Sequence, residues 1–239
     1  MNELNVKRFC FYSAILTSLV TAVTFIIAIF TPPLTGPFCK SGCFEYPYNE
    51  IIERFPRDYL WMYPAILMIL LYAFLMAGIH QAASAEKKIY SQVGLLYGII
   101  SATVLLIDYF VQVSVIQPSL INGETDGIAL LTQFNPHSVF IALEELGYLM
   151  MSISFLFMAF VFAGTGSLER FIRWIFISGF GLSVLSFIII SMIYGLLREY
   201  LFEVTVITIN FLVLIINGVL LGRVFYKAMN KYSKISSLI

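Results

Sequence analysis

Residues 135–148 read NPHSVFIALEELGY, from Asn135 to Tyr148. Asn135 and Pro136 are good N-cap and first-turn residues, so the spacing predicts a helix that opens here. From Val139 the chain stays mostly apolar to Ala163, long enough to cross a bilayer, which takes about 20 residues. Inside that run stand two adjacent carboxylates, Glu144 and Glu145, with His137 about two turns before them. An ionisable side chain at membrane depth costs about 2.5–3.5 kcal/mol on insertion scales and by default marks a functional site. The stretch therefore predicts an all-α membrane protein with one polar site inside it.

The rest of the chain agrees in class. Its 239 residues are 60% hydrophobic and 12% charged, with mean hydropathy +0.91, whereas soluble domains carry about 25% charged residues. The deficit is concentrated in six apolar runs, about 9–30, 59–80, 91–116, 137–163, 171–197 and 202–225. The expected fold is a single six-helix transmembrane domain over residues 1–239. The first run exceeds a signal-peptide core of about 7–15 residues and has no small-x-small site before Thr31, so it is read as a retained helix. Two long loops, 31–58 and 117–136, follow spans one and three. The first is rich in Pro, Gly and aromatics, and the second has no Lys or Arg. Tyr59, Trp61 and Tyr63 read as an interface belt at the start of span two. Gly179 and Gly181 read as sites of close helix approach in span five.

Six spans put both termini on one side. With the termini inside, the inner segments hold ten basic residues: Lys7, Arg8, Lys87, Lys88, Arg170, Arg173, Arg223, Lys227, Lys231 and Lys234. The outer segments hold four, Lys40, Arg54, Arg57 and Arg198. The positive-inside rule thus predicts a multi-pass protein of the cell membrane with cytoplasmic N- and C-termini. The zero net charge gives no argument for nucleic acid as a partner. Attraction to anionic lipid accounts for the basic face Arg223, Lys227, Lys231 and Lys234.

Depth counting assembles the candidate site. At about 1.5 Å per residue, Glu144 and Glu145 lie roughly 10–12 Å below the outer end of span four. Asp108 in span three and Asn210 in span six reach a similar level. Gln112 is one turn from Asp108 and Tyr148 one turn from Glu144, while Glu203, Asn210 and Asn217 recur every seven residues on one stripe. Lipid cannot satisfy such groups, so they should face the bundle interior. The expectation is a polar pocket open toward the outside, built from Asp108, Gln112, Glu144, Glu145, Tyr148, Asn210 and His137. Carboxylates brought together cannot all ionise, which suits a proton carrier or a general acid. Two structural readings compete. Asn210, Asn217 and Gln112 also suit interhelical hydrogen-bond glue. Arg198, at the outer end of span five, also suits an ion-pair latch with one of the acids, with Arg198 and Glu203 as the latch residues.

His137 and the acids do not suit a compact metal site. Two turns separate them, roughly 10–12 Å, against metal–ligand bonds of about 2 Å. No metal and no cofactor is expected. Cys39 and Cys43, spaced C-x-x-x-C in the first outer loop, predict a disulfide in an oxidising compartment. Cys10 is expected to be a free thiol at the cytoplasmic start of span one. The loop aromatics Phe38, Phe44, Tyr46, Tyr48 and Phe55 either cap the pocket or lie among headgroups.

Four motifs carry a resemblance that covers most of the chain. They are Tyr63-Pro64 opening span two, Asp108-Tyr109-Phe110-Val111-Gln112, Asn135-Pro136-His137 with Glu144-Glu145-Leu146-Gly147-Tyr148, and Arg198-Glu199-Tyr200. On these the chain resembles a group of uncharacterised prokaryotic six-helix membrane proteins, a resemblance that implies a class and no mechanism. The zinc hydrolases of the ceramidase and adiponectin-receptor type use three histidines, and this chain has only His80 and His137. Sterol-isomerase-like proteins are similar in kind at His137, Glu144 and Asp108, without matching spacing.

The functional expectation is binding or transport of a small-molecule or lipid-like ligand, proton-linked through the carboxylates, with the lipid bilayer as the other partner. Six spans form a small transport unit, which a homodimer would enlarge. Two alternatives stay open: a structural or accessory subunit whose buried polar groups only hold helices together, and a membrane-embedded enzyme using a buried Glu as acid or base. Against the enzyme, the sequence has no nucleophile motif, metal constellation or phosphate loop.

Overall fold

The computed structural model describes residues 3–31, 33–164 and 166–236, without the side chains of Glu199 and of residues 232–236. The side chains of Lys234 and Glu199 and the whole of Pro32, all used in the sequence reading, lie outside the described residues. Six helices are long and apolar enough to cross a membrane. In chain order the helices are α1 (Glu3–Phe30), α2 (Met62–Ala82), α3 (Lys88–Val111), α4 (Gln117–Ile121), α5 (Ile128–Leu131), α6 (Val139–Val161), α7 (Ser167–Tyr194) and α8 (Glu199–Ser236). Among the described residues there is no strand.

The spans fall where the apolar runs lie, but several ends differ. α1 begins at Glu3 rather than near residue 9, because an acid in the first turn and the Glu3–Lys7 pair at 2.5 Å favour helix before the apolar run starts. α8 continues well past residue 225, with Arg223, Lys227 and Lys231 on its exposed face. Ser138, not Asn135, caps α6, its hydroxyl accepting the Ile141 N–H at 3.3 Å. Asn135 instead accepts the His137 N–H at 3.0 Å and donates to Ala129 O at 2.6 Å, a local turn that holds the chain outside the helix. Between α3 and α4 the helix widens into a π turn, Gln112–Ile116. Pro118 follows it; proline has no N–H to donate and crowds the carbonyl four residues back, and a wider turn accommodates both.

Consecutive spans pack antiparallel. α1 meets α2 and α8, α2 meets α3, α3 meets α6, α6 meets α7, and α7 meets α8. α6 also touches α8 across the ring, so it reaches three other spans and is the most buried of the six, while α7 is the least. Phe11 lies against Tyr226 and Phe25 against Phe211, so both described chain ends share one end of the bundle. The long loops lie at the other, hereafter the loop end.

In lipid no hydrophobic force draws helices together, so close approach and interhelical hydrogen bonds do that work. A Cβ on Gly218 would stand 2.7 Å from Ala14 O, so α8 and α1 are nearly in backbone contact there. The Ser18 hydroxyl donates across the same seam to Ile215 O at 2.7 Å. A Cβ on Gly147 would meet Leu105 at 2.5 Å, and Ser154 donates to Gly94 O at 2.6 Å, joining α6 to α3. Gly179 packs on Val213 as expected of a close-approach site, whereas Gly181 has nothing within 4 Å and faces open space.

Candidate functional site

Adjacent residues on a helix point about 100° apart, so Glu144 and Glu145 face different neighbours. Glu145 points toward the turn between α7 and α8, where Arg198 Nη1 donates to its Oε2 at 2.7 Å. The guanidinium lies over the rings of Phe187, at 4.8 Å, and Phe202, at 5.8 Å. Glu144 points inward and is wholly buried. The Tyr109 hydroxyl donates to Glu144 Oε1 at 2.5 Å. That proton being used, the contact of 2.8 Å between the Tyr109 and Tyr148 hydroxyls has Tyr148 as donor.

Asp108 on α3 and Glu203 on α8 complete the cluster. Both stand close enough to Glu144 to feel its charge, and the Glu144 and Glu203 carboxyls lie within hydrogen-bonding reach of each other. Two ionised carboxylates offer no donor, so that contact closes only when one of them carries a proton. With both ionised, Glu144 Oε2 and Glu203 Oε2 are buried without a partner, as is Asp108 Oδ2. None of these three acids has an ion-pair partner among the described residues.

Beside the cluster, toward the loop end, lies a cavity of about 400 Å³. Glu144 and Glu203 form part of its wall, together with the rings of Trp61, Phe140, Tyr200 and Phe211. Leu34 and Phe38 of the first long loop and Phe134 of the second close it over. The roof rests directly on α8: Gly36 has φ +65°, a conformation that favours glycine, and a Cβ there would meet the Tyr200 ring at 3.2 Å. A disulfide between Cys39 and Cys43 ties the adjoining turn. Asp58 adds a third carboxylate to the wall. Its Oδ1 takes Arg57 Nε at 2.6 Å, while its Oδ2 is buried without a partner. At the side, Ile29 of α1 and Val204 of α8 line the cavity and are also exposed, so it reaches the bundle's outer surface at that seam.

No family model, curated protein or solved structure matches the chain. The chemistry of the site is therefore argued from its own residues.

The structure brings Asp108, Glu144 and Tyr148 together, turns Glu145 aside onto Arg198, and holds other candidates apart. Gln112 is wholly buried but employed elsewhere. Its Nε2 donates to Leu131 O at 2.6 Å and its Oε1 accepts the Gln133 N–H at 3.1 Å, which pins the second long loop to the π turn. His137 is exposed, outside α6 and outside the cluster. Asn210 is buried, with Nδ2 bonded to Val206 O of its own helix at 2.8 Å and Oδ1 unpartnered; it does not line the cavity. Asn217 reaches Ile172 O at 3.4 Å and joins α8 to α7. The partner of Arg198 is Glu145, not Glu203: Glu203 lies more than a full turn further along α8 and faces Glu144. Among the described residues no group of three or more His, Cys, Asp or Glu could hold a metal ion.

Several residues of the site were not singled out from sequence. Tyr109 holds Glu144 without lining the cavity, and its only mark in the sequence is that a tyrosine in a span needs a partner for its hydroxyl. Trp61, assigned to an interface belt, turns inward with its ring 5.2 Å from that of Tyr109, and Tyr59 is fully buried, so only Tyr63 of that trio is strongly exposed. Nothing in the spacing of Asp58 or Tyr200 pointed to the cavity.

Proposed function

We propose that the protein binds a small amphipathic or lipid-like molecule in this cavity, admitted from the bilayer between α1 and α8, in a proton-linked way. The observation that carries the reading is a cavity of about 400 Å³ with Glu144 and Glu203 in an otherwise mainly apolar wall. Ligand sites are usually clefts of about 300–1,000 Å³, mostly apolar, with a few convergent polar groups. The positive-inside rule assigns the loop end to the outside, since the basic residues concentrate at the end holding the termini. On that assignment the cavity lies in the outer half of the membrane, the disulfide lies in an oxidising compartment, and both termini are cytoplasmic. The carboxyl pair, which needs a proton to close on itself, supplies the link to protons.

The accessory reading is favoured by Glu145–Arg198 and Asn217, which do join helices, but it leaves the cavity without a use. Native mass spectrometry of protein released from its own membranes separates the two readings. Binding is expected as one small-molecule adduct on the wild type, lost in Ile207→Trp, which sets an indole across the cavity. No adduct on the wild type, or an equal adduct on the filled variant, overturns the proposal.

A further inference from the structure

We infer that the cavity takes a cationic amphiphile, an ammonium head seated against Glu144 and Glu203 with an apolar body along the α1–α8 seam. The inference rests on the cavity being a ligand site and goes beyond it by naming the charge of the ligand.

The charge count comes first. Asp108, Glu144, Glu145 and Glu203 lie within reach of one another's charge, and among the described residues the cation paired with any of them is Arg198, which Glu145 holds. Asp58 is held by Arg57. Among the described residues the cavity wall contains no lysine, arginine or histidine. An anionic ligand would meet three carboxyls there and only neutral polar residues such as Gln133, Tyr200 and Thr208, without a basic group to receive it.

The hydrogen-bonding inventory points the same way. Glu144 Oε2, Glu203 Oε2 and Asp58 Oδ2 are buried, line the cavity through their residues and, when ionised, have no donor among the described residues. All three residues are at least nine-tenths buried. An ammonium is a pure donor, with three protons on a primary amine, and fits a wall whose unmet need is for donors. A neutral hydroxyl would bring one donor and leave the charge uncompensated.

The rings supply the third argument. Trp61, Phe140 and Tyr200 stand in the same wall as the carboxyls, and ring faces attract cations. The loop end already uses this contact with two of its own cations, Arg198 over Phe187 and Phe202 and Arg54 over Phe44. A bare metal ion fits less well: the described acids do not converge as a chelate, and the cavity is far larger than an ion. Phe25, Ile207 and Phe211 extend it as an apolar channel suited to an alkyl or ring body.

The test compares one body with three heads. The chain has two tryptophans, and Trp174 is exposed on α7, so Trp174→Phe leaves Trp61 as the reporter in the cavity wall. Dodecylamine, dodecanol and dodecanoate are titrated against this protein in phosphatidylcholine nanodiscs, with empty nanodiscs correcting for partition. Dodecylamine is expected to change Trp61 emission saturably and to bind at least about tenfold more tightly than dodecanol, with dodecanoate weakest. Glu203→Gln should weaken the amine several-fold and leave dodecanol unchanged. If that variant does not fold, Glu144→Gln takes its place, and the head-group series on the unaltered site decides without either. Dodecanol or dodecanoate binding as tightly as the amine overturns the charge inference and leaves the ligand cavity standing. No saturable response to any of the three overturns both.

Discussion

Breaking the Glu145–Arg198 pair from its two sides should have unequal costs. The pair is short, 2.7 Å, but its partners are differently placed: the Glu145 side chain is 8% exposed and that of Arg198 26%. Removing one member of a buried pair costs about 3–5 kcal/mol, because the other is left charged and dry. Arg198→Gln takes the guanidinium from Glu145, which also lies within reach of the charge of Glu203. It also removes two cation–ring contacts, each worth about 0.5–1 kcal/mol at a partly exposed site. The expected loss is about 4 kcal/mol. Glu145→Gln leaves Arg198, which can turn toward water, keeps a carbonyl acceptor in place and relieves repulsion among the acids, so about 1–2 kcal/mol is expected. The double variant strands no charge and should fall between them, giving a coupling energy of about 2 kcal/mol. Reversible unfolding in mixed detergent micelles, monitored by circular dichroism at one pH, measures all four proteins. Equal costs for the two single changes would refute the argument. So would a coupling at or below about 0.6 kcal/mol, the average for interhelical polar contacts in a membrane.

Three further outcomes follow from the packing and the loops. Gly147→Ala should destabilise by about 1–3 kcal/mol, since its new methyl would meet Leu105, whereas Gly181→Ala should be neutral within about 0.5 kcal/mol; thermal unfolding in detergent compares them. Gln112→Ala removes both of that side chain's hydrogen bonds to the second long loop, so hydrogen exchange across 122–138 should accelerate while that of α6 beyond Glu145 does not change. Maleimide labelling of unreduced, denatured protein should find one thiol, Cys10, and three after reduction; three before reduction would contradict the disulfide.

The spans were legible because the bilayer imposes a length and forbids unsatisfied backbone, constraints that leave apolar runs visible in any sequence. Depth was legible for the same reason: counting turns set Asp108 and Glu144 at one level, and the structure has them within reach of each other. Helix rotation and loop path were not. Arg198 and Glu203 are near in sequence, yet their directions around α8 separate them, and only the packed bundle turns Glu145 toward the guanidinium. Gln112 reads as a pocket residue on a regular helix, but the π turn ahead of Pro118 presents it to Leu131 and Gln133 instead. His137 reads as the first turn of a helix, but Asn135 folds the chain into a local turn and leaves Ser138 to cap. The cavity itself depends on two loops meeting, Phe44 against Phe134 over the ends of α1 and α8. No periodicity encodes that contact.

The cavity beside Glu144 and Glu203 is expected to be occupied in the membrane. An experimental structure of the protein in nanodiscs made from its native lipids examines it directly. Elongated non-protein density is expected between Trp61 and Phe211, with its polar end in hydrogen-bonding contact with Glu144 or Glu203. A cavity closed by side chains, the rings of Trp61 and Phe211 packed together and the carboxyls paired only with protein groups, would contradict that expectation.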